Sequence, residues 1–100
     1  VVLTLLDGKG KVLYCGVVTE GTANSCDVYL RRIVGLAASY DATQAILAHN
    51  HPSGNDRPSS HDITLTKKVQ EAGRVLDITL LDHIVVCPNR YYSFADNGML

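Results

Sequence analysis

The chain has 100 residues, 46% of them hydrophobic and 19% charged, and a formal net charge of −1. This length and composition suit one small globular domain and exclude a disordered or low-complexity chain. The densest basic pairs are Arg31-Arg32 and Lys67-Lys68, far from the concentrated footprint of a duplex-binding domain.

The chain opens on Val1 to Leu6, apolar and strand-prone, followed by the turn signal Asp7-Gly8-Lys9-Gly10. Lys11 to Thr19 reads as the return strand of a hairpin. Because Val1 already stands in a strand-like run, the chain is expected to be a piece of a longer protein. Asn24 and Ser25 are cap-type residues ahead of Asp27, and Leu30, Ile33, Val34, Ala37 and Tyr40 recur near helical spacing, which predicts a core-facing helix. Asp41-Ala42-Thr43 turns the chain into an apolar strand, Gln44 to His49. After a loop with Pro52, Gly54 and Pro58, Ser59 is a good N-cap and Asp62 its capping-box acid. The helix is expected over about residues 60–72, burying Leu65, Val69 and Ala72, with Gly73 as its left-handed terminator. Leu76 to Val86 reads as a strand interrupted by Asp82-His83, and Tyr91 to Phe94 as a short final strand. The order β-β-α-β-α-β-β predicts a mixed α/β domain, with two helices packed on one curved sheet.

Cys15, Cys26 and Cys87 are odd in number and form no CxxC pair, so a disulfide framework or a four-cysteine zinc site is not expected. All three read as core thiols in a reducing compartment. No signal-peptide pattern and no long apolar run is present, so no membrane span is indicated and the cytoplasm is the default location.

The chemistry concentrates in His49-Asn50-His51-Pro52-Ser53-Gly54, followed by Ser59 and Asp62. Residues i and i+2 of a strand share a face, so both imidazoles should project together where the sheet ends. Asp62, in the first turn of the next helix, can bring a carboxylate back beside them. Two imidazole nitrogens, one carboxylate oxygen and a position for water make a catalytic zinc site. The bland alternatives are two satisfied histidines and an aspartate that only caps its helix. Asp82 and His83, in an otherwise apolar strand, fall on opposite faces. One of them could orient a ligand imidazole; the alternative is a structural hydrogen bond to backbone. His61 is expected to be exposed.

The spacing His49-x-His51, seven residues, Ser59, two residues, Asp62 resembles the JAMM signature H-x-H-x7-S-x2-D of JAB/MPN domains. The longer string His-Asn-His-Pro-Ser-Gly-Asn, with Leu81-Asp82-His83 and the ending Tyr92-Ser93-Phe94-Ala95-Asp96-Asn97-Gly98, looks like the bacterial RadC branch. The resemblance covers nearly the whole chain. It implies a JAB/MPN-like fold over residues 1–100, as the C-terminal domain of a longer protein, and a zinc-dependent hydrolase of peptide or isopeptide bonds acting on a peptide or protein substrate. By the same resemblance His49, His51 and Asp62 would hold zinc, and Ser59 would donate to the oxyanion formed on the carbonyl. The JAMM pattern further requires a glutamate from the strand before the first helix, as general base. The chain has only Glu20 and Glu71. Glu20 lies on the right segment, whereas RadC relatives often carry theirs earlier, near the position of Gly16 here. Two other readings stay open: a DNA-processing role, with DNA engaged through the rest of the protein, as the RadC family's repair label suggests, and a non-catalytic interaction module.

Overall fold

A computed structural model of the chain describes residues 1–18, 26–51 and 55–100. β1 (Val2–Leu6) and β2 (Val12–Val17) form the expected antiparallel hairpin. Its turn is held by Asp7, whose Oδ1 accepts the amides of Lys9 and Lys11, both at 2.9 Å. Gly10 there takes φ +84°, a left-handed value that glycine reaches without a Cβ clash. Thr19, the expected end of the second strand, lies outside the described residues.

α1 (Cys26–Ser39) leads to β3 (Gln44–Asn50), and α2 (Ser60–Leu76) carries the chain to β4 (Thr79–Cys87) and β5 (Arg90–Ser93). The sheet order is β2-β1-β3-β4-β5. β3 pairs antiparallel with β1 and parallel with β4, so α2 is the crossover of a βαβ unit. Among the described residues the fold is the expected mixed α/β domain, five strands and two helices. The core lies between sheet and helices: Leu3, Leu5 and Leu47 are fully buried, and Ile33 and Ala37 of α1 meet Leu65 and Val69 of α2 above them. Truncating a buried leucine of this kind costs about 2–5 kcal/mol.

Four expectations are corrected. α2 does not stop at Gly73; it runs to Leu76 and ends at Asp77, which takes the left-handed conformation with φ 58°. Gly73 is needed for space instead, since a Cβ there would lie 2.3 Å from the Ile78 carbonyl oxygen. Leu76 therefore belongs to the helix, and β4 starts at Thr79. Tyr40, beyond the end of α1, leaves the helical period; it is exposed and packs on Tyr14 with ring centroids 5.1 Å apart. Cys15 is exposed, because it pairs across from Thr4 on the opposite sheet face from Leu3 and Leu5. Cys87 is buried as expected, and the side chain of Cys26 lies outside the described residues.

β4 carries a bulge that matters for the site. Consecutive Ala45 and Ile46 of β3 pair with Leu80 and Asp82, leaving Leu81 extra. An inserted residue reverses the alternation beyond it. Leu80 is buried before the bulge, and His83, Val85 and Cys87 are buried after it. Without the bulge, Asp82 and not His83 would face the helices. Among the described residues no helix is long and apolar enough to cross a membrane.

Candidate metal centre

Ala45 and Leu47 of β3 point into the core, and the same alternation carries His49 and His51 to the helix side at the carboxyl end of the strand. His51 prolongs the ladder by donating its amide to the Val86 carbonyl at 2.8 Å. The site thus sits where the parallel pair β3–β4 ends and α2 begins, the usual ligand position in open α/β sheets.

Asp62 enters from the first turn of α2. The capping box is complete: Ser59 Oγ accepts the Asp62 amide at 3.1 Å, and the Ser59 amide donates to Asp62 Oδ2 at 2.8 Å. That pair of bonds fixes the carboxylate. Asp62 Oδ2 then lies 3.2 Å from His49 Nε2 and 3.4 Å from His51 Nε2, and the two Nε2 atoms are 2.9 Å apart. Capping acid and cluster member are therefore the same carboxylate. The three side chains remain 12–22% exposed, so the cluster is reachable from solvent.

His51 Nδ1 stands 2.9 Å from the carbonyl oxygen of Asn55. A carbonyl only accepts, so Nδ1 carries the proton and a neutral His51 presents a bare lone pair at Nε2. His49 Nδ1 faces His83 Nε2 at 2.9 Å. His83 is fully buried, stacked on Phe94 with centroids 4.8 Å apart and planes within 10°, and its Nδ1 meets Thr66 Oγ1 at 2.6 Å. Asp82, on the other face, does structural work: its Oδ1 accepts the amides of His83 at 2.7 Å and Ala95 at 2.9 Å, and its Oδ2 accepts the Ser93 hydroxyl at 2.5 Å.

Burial lowers the pKa of His49, Asp62 opposes this by raising it, and His51 lowers it further; the net shift is down. Burial alone would raise Asp62, but the two Ser59 hydrogen bonds and the neighbouring imidazoles outweigh it and hold the carboxyl low. Burial and the charge of His49 push His83 down to about 4. Near neutrality the cluster is thus a carboxylate facing an uncharged His49.

These residues fit a divalent cation. In a tetrahedral zinc site with bonds of about 2.0–2.1 Å, adjacent donor atoms lie roughly 3.3–3.4 Å apart. The two N–O separations match this spacing, and the N–N separation is a little shorter. Among the described residues His49, His51 and Asp62 are the group able to hold a metal ion. Their atom types, two imidazole nitrogens and one carboxylate oxygen, are those of catalytic zinc centres with an open position.

The remaining candidates fall as follows. Ser59 is exposed at the head of α2 beside Asp62. Glu20 lies outside the described residues, as do residues 52–54 of the loop. Glu71 is exposed on α2, about 13 Å along the helix from Asp62 at 1.5 Å per residue. His61 is exposed, with its ring edge-on to Tyr29. A shallow apolar groove formed by Val2, Val17, Ala48 and Val86 lies on the outer face of the sheet, opposite the face to which β3 carries the His49 and His51 imidazoles. Thr66 escapes a reading by hydrophobic period because it is polar, although its place four residues after Asp62 and three before Val69 puts it on the buried stripe of α2.

Fold and cluster together define an α/β domain of JAB type with a His-His-Asp candidate metal centre at the end of its central parallel strand. The chain belongs to the family described as RadC-like JAB domain, which matches residues 1–99. It is 42% identical over 99 residues to a UPF0758 protein of Herminiimonas arsenicoxydans, covering 99% of this chain and 44% of that one. It is 40% identical over 96 residues to a UPF0758 protein of Pelobacter propionicus, covering 96% and 42%. A UPF0758 protein of Stenotrophomonas maltophilia is 42% identical over 95 residues, covering 95% and 41%. The chain spans less than half the length of these relatives.

Proposed function

We propose that this domain is a zinc-dependent hydrolase of the JAMM type that cleaves a peptide or isopeptide bond. The reading is carried by one observation: His49 Nε2, His51 Nε2 and Asp62 Oδ2 converge within 3.4 Å of one another. Zinc at such a site supplies a Lewis acid and lowers the pKa of water to about 7.

The chain's own residues supply the rest. The capping box holds Asp62 in one orientation, as a rigid ligand requires. Ser59 Oγ spends an acceptor position on the Asp62 amide and keeps its O–H to donate to a developing oxyanion. The N-terminal end of α2 adds a positive partial charge favourable to that anion. In this reading Glu20 is the general base that takes the proton from the attacking water.

The test is metal content by mass spectrometry, with turnover of a fluorogenic isopeptide substrate measured in parallel. One zinc per chain, lost in His49→Ala, is expected. Glu20→Gln should retain the zinc and lose turnover. Absence of metal in the parent after zinc is supplied would overturn the hydrolase reading and leave a JAB-shaped interaction module. Metal-dependent cleavage of DNA, with salt-sensitive binding, would replace it by a nuclease.

A further inference from the structure

We propose that His83 and Thr66 are positioning residues that hold His49 in its Nδ1–H tautomer and so turn an unprotonated Nε2 toward His51 and Asp62. The inference deepens the metal-centre reading above and, as regards zinc, rests on it.

Thr66 Oγ1 lies 2.8 Å from the backbone carbonyl of Asp62. A carbonyl oxygen has no proton to give, so the threonine hydroxyl donates its single proton there. Toward His83 Nδ1, at 2.6 Å, Thr66 can then only accept, which places a proton on His83 Nδ1. The His83 side chain is wholly buried, and its ring nitrogens face a hydroxyl and an imidazole. A buried charge without an ionised partner is costly, so the ring is neutral and its Nε2 carries a lone pair. His49 Nδ1, 2.9 Å from that lone pair, must be the donor. With its one proton on Nδ1, His49 presents a bare Nε2 both to Asp62 Oδ2 at 3.2 Å and to the bare Nε2 of His51 at 2.9 Å, three acceptors with no proton between them, an arrangement that a cation at their centre would satisfy. The chain of bonds begins at the Asp62 carbonyl and returns to the Asp62 carboxylate.

Packing makes the relay rigid. The ring of Phe94 covers one face of His83, the Phe94 amide donates to the His83 carbonyl at 3.1 Å, and Asp82 holds the His83 amide from the other side of the strand. A ligand imidazole whose second nitrogen is tied in this way has both tautomer and ring orientation fixed, and removing such a partner typically costs 10–100-fold in metal affinity.

Thr66→Val tests this without touching a ligand. It keeps the side-chain shape and removes the acceptor of the His83 Nδ1 proton. His83 then shifts its proton to Nε2, donates to His49 Nδ1, and forces the His49 proton onto Nε2, toward the cluster. Imidazole nitrogen shifts in the metal-free protein, recorded by long-range proton–nitrogen NMR at one fixed pH, report the tautomer directly. The expected result is His49 Nδ1–H in the parent and in Thr66→Ser, and Nε2–H in Thr66→Val. Zinc dissociation constants from chelator competition should rise about 10–100-fold in Thr66→Val and return close to the parent value in Thr66→Ser. An Nε2–H tautomer of His49 in the parent, or an unchanged tautomer in Thr66→Val, overturns the proposal. The expected tautomers in parent and Thr66→Val, together with no zinc uptake by the parent, overturn the metal reading alone.

Discussion

Gly73→Ala is expected to destabilise the domain, although Gly73 lies inside a helix where alanine normally helps. The new Cβ would stand 2.3 Å from the Ile78 carbonyl oxygen, a backbone atom that cannot swing aside as the tip of a side chain can. The same turn is tied down by two further bonds, since the Gly73 carbonyl accepts the Ile78 amide at 2.8 Å and the cap amide of Asp77. Overpacking of this kind costs about 1–3 kcal/mol, and alanine returns up to about 1 kcal/mol of helix propensity. The net loss is about 1–2 kcal/mol, or a fall in Tm of roughly 5–15 °C for a domain of this size. Asp77→Gly, four residues on, should act in the opposite sense. Asp77 has φ 58°, and glycine removes the left-handed strain, for a gain of about 0.5 kcal/mol after its larger unfolded-state entropy is counted. Thermal unfolding of the two variants beside the parent decides the matter. A rise in Tm for Gly73→Ala would show that Ile78 moves away freely and would refute the reasoning.

Three further outcomes follow from the same contacts. Asp82→Ala leaves the amides of His83 and Ala95 and the Ser93 hydroxyl without their acceptor and should cost about 3 kcal/mol in urea unfolding; a loss below about 1 kcal/mol would show that water replaces the carboxylate. Ser59→Ala removes the oxygen that accepts the Asp62 amide and should lower stability by about 1 kcal/mol, read from the urea midpoint; an unchanged midpoint would count against the cap. In chelator-treated protein, His83 folded at about 4 against an ordinary 6.5 means that the unfolded chain binds the proton first. This contribution, about 3 kcal/mol, is fully present above pH 6.5 and fades as pH falls toward 4. The stability of the parent should therefore fall relative to that of His83→Leu as pH drops through that window, and parallel pH profiles would refute the shift.

Much of the architecture was legible from the sequence because its signals were local. Asp7-Gly8-Lys9-Gly10 spells its turn, and Ser59 with Asp62 spells the start of α2. The His49-x-His51 spacing puts two imidazoles on one strand face whatever the rest of the chain does. Gly73 misled because a glycine near a helix end reads as a left-handed cap, whereas here it makes room for the returning backbone at Ile78, a contact that only the α2–β4 connection creates. The role of His83 was half legible. Alternation separated it from Asp82, but the bulge at Leu81, which decides which of the two faces the helices, depends on pairing with β3. Thr66 carried no signal of its own, since its partner lies 17 positions away on another element.

The parts of the site differ in how far along the chain they reach. His49, His51 and Asp62 all fall within positions 49–62, on one strand–loop–helix segment, whereas His83 arrives only when β4 pairs in parallel with β3. Parallel pairing across a crossover is a non-local event that forms slowly and can reopen as a unit. Each time the β3–β4 ladder opened, His49 would lose its tether while keeping its neighbours. The lifetime of an ordered His49 is therefore set by the local opening free energy of that ladder, a quantity that hydrogen exchange at the amides of Leu47 and His49 would read.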